Sequence, residues 1–253
     1  MIKFFPVLGL TLLLASCGSE DKKENSEVKS VDSVTKQTVK DTITFTLDDI
    51  DKNAYCKLVD KSGYCDKNNK LGWKDDSLQE VKLIEKYARI VSRNGDRLSF
   101  LVGKNNLDFK DVRDEMSGEY IIYRLLDMND EYAVLAMMYY EGHEYMVLNH
   151  KTGKSFKTWG RPIFNVTRTM VVSGNYDLAA GYSNNGFQVF ANENGKWNLK
   201  MERLLDDWGP EDLWWVNDSV VAGKKMWMYE TKNGSTRDTA AFVKINLKTE
   251  IIN

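Results

Sequence analysis

Histidine and cysteine are scarce in this chain, with two histidines and three cysteines among 253 residues. His143 and His150 lie far from Cys56 and Cys65, and the eight residues between those cysteines match no zinc spacing, so a structural zinc site is not expected. An excess of charge of one sign is also lacking. The 35 basic residues nearly balance 37 acidic ones, which leaves no field suited to coating DNA or RNA, and no nucleic-acid partner is expected. The N-terminal apolar stretch, Phe4 to Leu14, falls short of the ~20 residues a bilayer-spanning helix requires. Catalytic signatures are missing as well. Glu141-Gly142-His143-Glu144 sets acid beside imidazole at an expected hairpin turn, but Val147 stands where a zincin needs its second histidine. Gly153-Lys154-Ser155 lacks the upstream glycine of a phosphate loop, and the second glycine of Gly181 to Gly186 comes one residue too late for a nucleophile elbow. Asp49, Asp51, Asn53 and Asp60 fall at calcium-loop positions, yet Ala54 replaces the required glycine.

What is present begins at the N-terminus. Lys3, the apolar stretch and then Leu14-Ala15-Ser16-Cys17 form the pattern of a bacterial lipoprotein signal, in which the cysteine thiol takes up diacylglycerol before cleavage. Residues 1–16 are therefore expected to be removed, leaving a chain anchored to the membrane through lipid on Cys17. From residue 17 to 40 the chain is rich in Ser, Lys, Glu, Asp and Thr without an aromatic residue, a composition that cannot bury a core. It predicts a flexible tether reaching roughly 25 to 30 Å. With Cys17 assigned to lipid, Cys56 and Cys65 remain as a pair in an oxidising compartment, and a disulfide between them is expected. Gly18-Ser19-Glu20-Asp21 resembles the acidic export signal of lipoproteins of the Bacteroidetes phylum, and Asp-Ser and Asp-Thr triplets such as Asp218-Ser219-Val220 resemble its O-glycosylation sites. The expected location is the outer membrane, on its periplasmic or its outer face.

Beyond residue 41 the expectation is one β-rich domain, 41–253. Asn94-Gly95 between Ala88 to Val91 and Leu98 to Val102 is a strong hairpin signal. Further turns are expected at Lys151 to Lys154 and Glu193 to Lys196. Between them, Tyr132 to Tyr140, Glu144 to Asn149, Thr169 to Ser173 and Phe187 to Ala191 have the β-branched and aromatic content of strands. The best helix signal is Ser77-x-x-Glu80, a capping box ahead of apolar residues at 78, 81, 84, 88 and 91. A repeat also emerges. Trp159-Gly160-Arg161-Pro162, followed by Ile163 to Val172, recurs forty-nine residues later as Trp208-Gly209-Pro210, followed by Leu213 to Ala222. A period in the forties with several strands per unit predicts an all-β fold in which antiparallel meander repeats form a small or incomplete β-propeller-like domain.

Tyr139-Tyr140-Glu141-Gly142, Thr152-Gly153, Trp159 to Pro162 and the run Asp177 to Phe190 resemble a group of uncharacterised exported bacterial proteins with propeller-like repeats. The likeness covers about residues 85 to 230 and is most specific at 177 to 190. It implies an exported all-β domain and carries no activity with it. Two candidate ligand or partner regions follow from the residues themselves. One is the polar, glycine-bearing loop with Asp177, Tyr182, Asn184 and Asn185; the other is the acidic and aromatic group around Trp208, Glu211, Asp212 and Trp214, with Asp206, Asp207 and Trp215 beside it. Indole faces flanked by carboxylates suit sugar rings, whereas tryptophans in repeat phase suit packing between sheets. The function expected is a non-enzymatic binding role toward a glycan or protein, as a monomer without cofactor or metal. An envelope glycan hydrolase and an immunity or inhibitor lipoprotein against a secreted enzyme are the alternatives.

Overall fold

The computed structural model describes residues 43–59, 76–114, 118–230 and 236–249, all within one compact unit. Cys17, Asp60 and Cys65 lie outside the described residues. The described residues begin with strand β1 (Ile43–Ile50) and the helices α1 (Lys52–Val59) and α2 (Asp76–Lys86). Four antiparallel sheets then follow in chain order. The first holds β2 (Val91–Asn94), β3 (Arg97–Val102) and β4 (Asn105–Lys110). The second holds β5 (Val112–Asp114), β6 (Glu119–Met128), β7 (Tyr132–Tyr139), β8 (His143–Asn149) and β9 (Ser155–Thr158). The third holds β10 (Ile163–Phe164), β11 (Met170–Asn175), β12 (Gly186–Glu193) and β13 (Lys196–Leu204). The fourth is made of β14 (Gly209–Asn217), β15 (Val220–Glu230) and β16 (Thr236–Thr249), with β1 added along the edge of β16. The fold is thus all-β, with two short helices among the described residues, and each sheet is a meander apart from that borrowed strand.

The turns obey local backbone chemistry. Gly95 sits at φ 59° in the β2–β3 turn, with Asn94 paired to Arg97 across it. Asn194 and Gly195, at φ 53° and 79°, supply the two left-handed residues of the β12–β13 hairpin. β1 sets Ile43, Phe45 and Leu47 in register with Thr249, Leu247 and Ile245, and Ile43 and Phe45 meet the fourth sheet's core while Leu47 is exposed.

Successive sheets share cores. Val91, Leu98 and Phe100 of the first sheet pack with Leu125, Ala133, Leu135 and Leu148 of the second, and Leu83, Ile84 and Tyr87 close that cluster from α2 and its C-terminal end. The opposite face of the second sheet, with Leu126, Val134 and Ala136, meets Phe164 of the third. Rings from both sides interlock there: Tyr132 lies 5.7 Å from Phe164, and Phe156 lies 4.7 Å from Phe190. Val172, Phe187, Val189 and Met201 of the third sheet pack against Leu213, Val221, Val243 and Ile245 of the fourth. Burial on both faces explains the near-continuous apolar runs of β7 and of β12.

α1 covers the fourth sheet's other face, with Tyr55 and Val59 against Ala222, Trp214 and Phe242. Its N-cap is Asp51, whose Oδ1 accepts the Ala54 N–H at 2.8 Å, while Asp49 pairs with Lys225. Two of the oxygens considered for calcium are therefore committed to a cap and an ion pair. α2 also departs from expectation. Leu78 and Val81 are exposed, and Glu80 is buried, accepting the Leu125 N–H at 2.7 Å and facing Arg93 Nε at 2.5 Å.

The repeated Trp-Gly pairs open the third and fourth sheets. Trp159 and Trp208 are both buried, and each glycine after them permits a close backbone approach. A Cβ on Gly160 would stand 1.8 Å from the Gly174 carbonyl oxygen. The turns that follow also touch, since Asn165 Nδ2 donates to Asp218 at 2.8 Å.

Candidate functional site

A cleft of about 1060 Å³ lies where the β7–β8 hairpin meets the loop before β12. β7 and β8 pair up to Met138 and His143, and the turn is closed by Tyr139 N–H donating to Gly142 O at 2.8 Å. That tight closure projects Tyr140 into solvent at 69% exposure. A Cβ on Gly142 would stand 3.5 Å from the Tyr182 side chain, so the hairpin lies beside the second loop. Tyr182 is 59% exposed, and Tyr120 meets Tyr140 edge-on at 6.2 Å, so three tyrosine rings line the opening. Trp159, at the start of the third sheet, also contributes to the lining.

Loop 177–186 owes its shape to two residues. Asp177 accepts the Ser183 N–H at 2.7 Å, the Ser183 hydroxyl at 3.0 Å and the Gly181 N–H at 3.1 Å. Burial raises its carboxyl pKa, but those donors and the Ala180 N–H outweigh burial, so Asp177 sits below the usual carboxylate range. Asn185 accepts the Asp177 N–H and donates to the carbonyls of Leu205 and Trp208. Of the four loop residues singled out in the sequence, Asp177 and Asn185 are frame, while Tyr182 and Asn184 line the cleft.

The polar wall is a relay of three side chains. The Tyr139 hydroxyl donates to Glu144 at 2.7 Å, and Lys157 Nζ donates to the same oxygen at 2.9 Å. Burial, together with the Glu144 carboxylate, pushes the Tyr139 hydroxyl up to about 12. Burial alone would raise Glu144, but its two donors prevail and hold it below the ordinary range. His143, stacked edge-on with Tyr145 at 5.5 Å, is pushed down by burial despite the nearby Asp177 charge, which keeps the imidazole neutral at pH 7. Glu141, exposed at the turn, has no ion pair among the described residues.

The group at 206–215 does not converge. Asp206, Asp207 and Glu211 are exposed, whereas Trp208 is buried under Lys225, whose Nζ lies 5.1 Å from the ring. Along β14 the side chains alternate: Leu213 and Trp215 face the third sheet, Trp215 donating to Ile163 O at 2.8 Å, and Trp214 faces α1. Asp212 pairs with Lys224. Among the described residues no cluster of His, Cys, Asp and Glu is arranged to hold a metal ion. No helix among them is long and apolar enough to cross a membrane.

The hairpin 139–144 was legible in the sequence only as a turn. The signal that could have found the cleft is the pair Tyr139-Tyr140 at the hairpin tip, of which Tyr140 is exposed. No family model, curated protein or solved structure matches this chain.

Proposed function

We propose that this protein is a lipid-anchored cell-envelope module that binds a glycan in the tyrosine-lined cleft. The observation that carries the proposal is the exposure of Tyr140 and Tyr182 on a concave surface beside Tyr120 and polar groups already held in place. Flat aromatic faces bury the apolar side of a sugar ring, and hydrogen-bonding groups at the cleft, the Glu144 carboxylate held by Tyr139 and Lys157 and the Asn184 amide, read its hydroxyls. Rigid preorganisation of the Tyr139–Glu144–Lys157 relay limits the entropy lost on binding.

Binding is favoured over hydrolysis by the protonation states. A glycosidic general acid requires a carboxyl raised toward neutrality, and Glu144 and Asp177 are both lowered. The hydrolase and inhibitor alternatives drew on residues 206–215, where Trp208 is buried and Trp214 and Trp215 lie on opposite faces of β14, which supports the tyrosine-lined cleft over that group. Tyr182→Ala and Tyr140→Ala should each weaken binding of envelope glycan fragments about ten-fold or more in calorimetric titration. Binding unchanged in both variants would overturn the assignment to this cleft.

The anchor rests on the sequence around Cys17. Cys17→Ala should move the protein to the soluble fraction, and retention in membranes after alkaline washing would contradict it. An outer-membrane address and a monomeric state belong to the same proposal. A Cys56–Cys65 disulfide suits such a compartment, and α1 presents Cys56 half-buried beside the fourth sheet. The arrangement of the sheets is read as an incomplete propeller. Supporting it are four consecutive antiparallel units, the edge of the last completed by β1, and a common cavity lined from β6, β10 and β14. An experimental structure in which these three strands share no axis would overturn it.

A further inference from the structure

A second cavity, of about 840 Å³, lies away from the tyrosine cleft, where residues of β6, β10 and β14 face one another beside Gln79 of α2. Its apolar lining includes Tyr145, Phe164 and Leu213. Two arginines also line it, Arg161 and Arg168, both exposed and neither in an ion pair among the described residues. The carboxylates in the lining do not answer them: Asp212 is taken by Lys224, and exposed Asp127 uses Oδ1 to accept the Met128 N–H at 2.8 Å. We infer that this cavity binds a small organic anion, its carboxylate or phosphate held by Arg161 and Arg168 and its less polar body resting on the aromatic lining.

The backbone around the cavity is specialised in the same place. Arg168 and Asp212, at φ 56° and 50°, are two of the three non-glycine residues in the left-handed region among the described residues, and the third, Asn194, belongs to an ordinary Asn-Gly hairpin. An arginine rarely adopts this conformation without tertiary support, and such outliers concentrate at ligand sites. The support is visible. Asn165 Oδ1 accepts the N–H groups of Thr169 and Met170 at 2.9 Å each, and the Arg168 N–H donates to Asn165 O at 3.1 Å, fixing the turn that presents Arg168. On the opposite side the β14–β15 register shifts between Glu211 and Trp214, a bulge that turns Asp212 and its neighbours toward the cavity. Guanidinium forks match carboxylate and phosphate geometry, and in a partly enclosed site with an apolar floor such contacts gain over their value in open water.

The test is calorimetric titration of the mature protein with glucuronate, inorganic phosphate and, as neutral control, glucose. Glucuronate is expected to bind and phosphate to compete with it, while glucose does not bind at this cavity. Arg161→Gln and Arg168→Gln should each weaken glucuronate about ten- to hundred-fold, and raised salt should weaken it further. Tyr182→Ala should leave it unchanged, which separates failure here from failure at the tyrosine cleft. Absence of glucuronate and phosphate binding, or binding indifferent to both arginine substitutions in variants whose melting matches the parent, would overturn the inference.

Discussion

Truncating one buried carboxylate, Glu80→Ala, should destabilise the domain more than any surface change on α2. Glu80 is 5% exposed and faces Arg93 Nε at 2.5 Å, with Arg93 Nη2 donating at 3.2 Å and the Leu125 N–H at 2.7 Å. Its removal leaves a buried N–H without an acceptor and a guanidinium held only by Asp111 at 3.5 Å and by the Tyr123 carbonyl at 2.6 Å. Breaking a buried ion pair costs about 3–5 kcal/mol, and the remaining Arg93 partners place this case near the lower end, about 3 kcal/mol. Alanine returns only about 0.3 kcal/mol through helix propensity. For a domain of this size that predicts a melting temperature lowered by roughly 6–12 °C. Urea unfolding should show a lower midpoint at unchanged slope, since the surface exposed on unfolding is nearly the same. Adding Arg93→Met should recover part of the loss, because the orphaned charge leaves with it. A Glu80→Ala variant within about 0.5 kcal/mol of the parent would refute this account of how α2 is fastened to the second sheet.

Gly160→Ala should cost about 1–3 kcal/mol in urea unfolding, because its Cβ would collide with the Gly174 carbonyl and backbone must move; an unchanged midpoint would contradict the close approach at the head of the third sheet. His143 has a folded pKa pushed below its ordinary 6.5 by burial, so its contribution is complete above pH 6.5 and is lost as pH falls from there toward the folded value. Thermal melts from pH 7.5 to 5 should show that loss and His143→Gln should remove it; identical profiles would contradict burial of the ring. Non-reducing peptide mapping should give one species linking Cys56 to Cys65, worth about 2 to 3 kcal/mol at most, whereas two alkylatable thiols in protein purified without reductant would contradict the pair.

Strands were the most legible feature of the sequence, because alternation and turn chemistry are local. Asn94-Gly95 and Asn194-Gly195 mark their hairpins from backbone requirement alone, and the observed β3, β7, β8, β11 and β12 overlap the runs expected, whereas the run expected at Ala88 to Val91 meets β2 only at Val91 because residues 87 to 90 form a turn. The Trp-Gly repeat located the starts of the third and fourth sheets, since close approach at Gly160 and Gly209 is needed at both. β1 was missed, although Ile43, Phe45 and Leu47 alternate, because its pairing with β16 spans nearly the whole chain. α1 was missed for a different reason: Asp51 was weighed for metal chemistry when its carboxylate serves as a cap.

The candidate site was legible in part. Loop 177–186 was singled out for its polarity, yet polarity does not distinguish Asp177 and Asn185, which satisfy backbone groups, from Tyr182 and Asn184, which face the cleft. The hairpin 139–144 drew attention through His143 and Glu144, whereas its tyrosines form the surface. In the group at 206–215, adjacency in a strand places neighbours on opposite faces, so residues close in sequence are not brought together. Trp214 and Trp215 are consecutive in the chain and belong to different cores.

The central claim is that the tyrosine-lined cleft is where a ligand binds. Titrating envelope glycan fragments into isotope-labelled protein and following backbone amide shifts tests it most directly. Binding at the cleft predicts saturable shifts confined to residues 118–120, 139–144 and 181–184. Shifts centred on residues 206–215, or none at millimolar fragment, would contradict it.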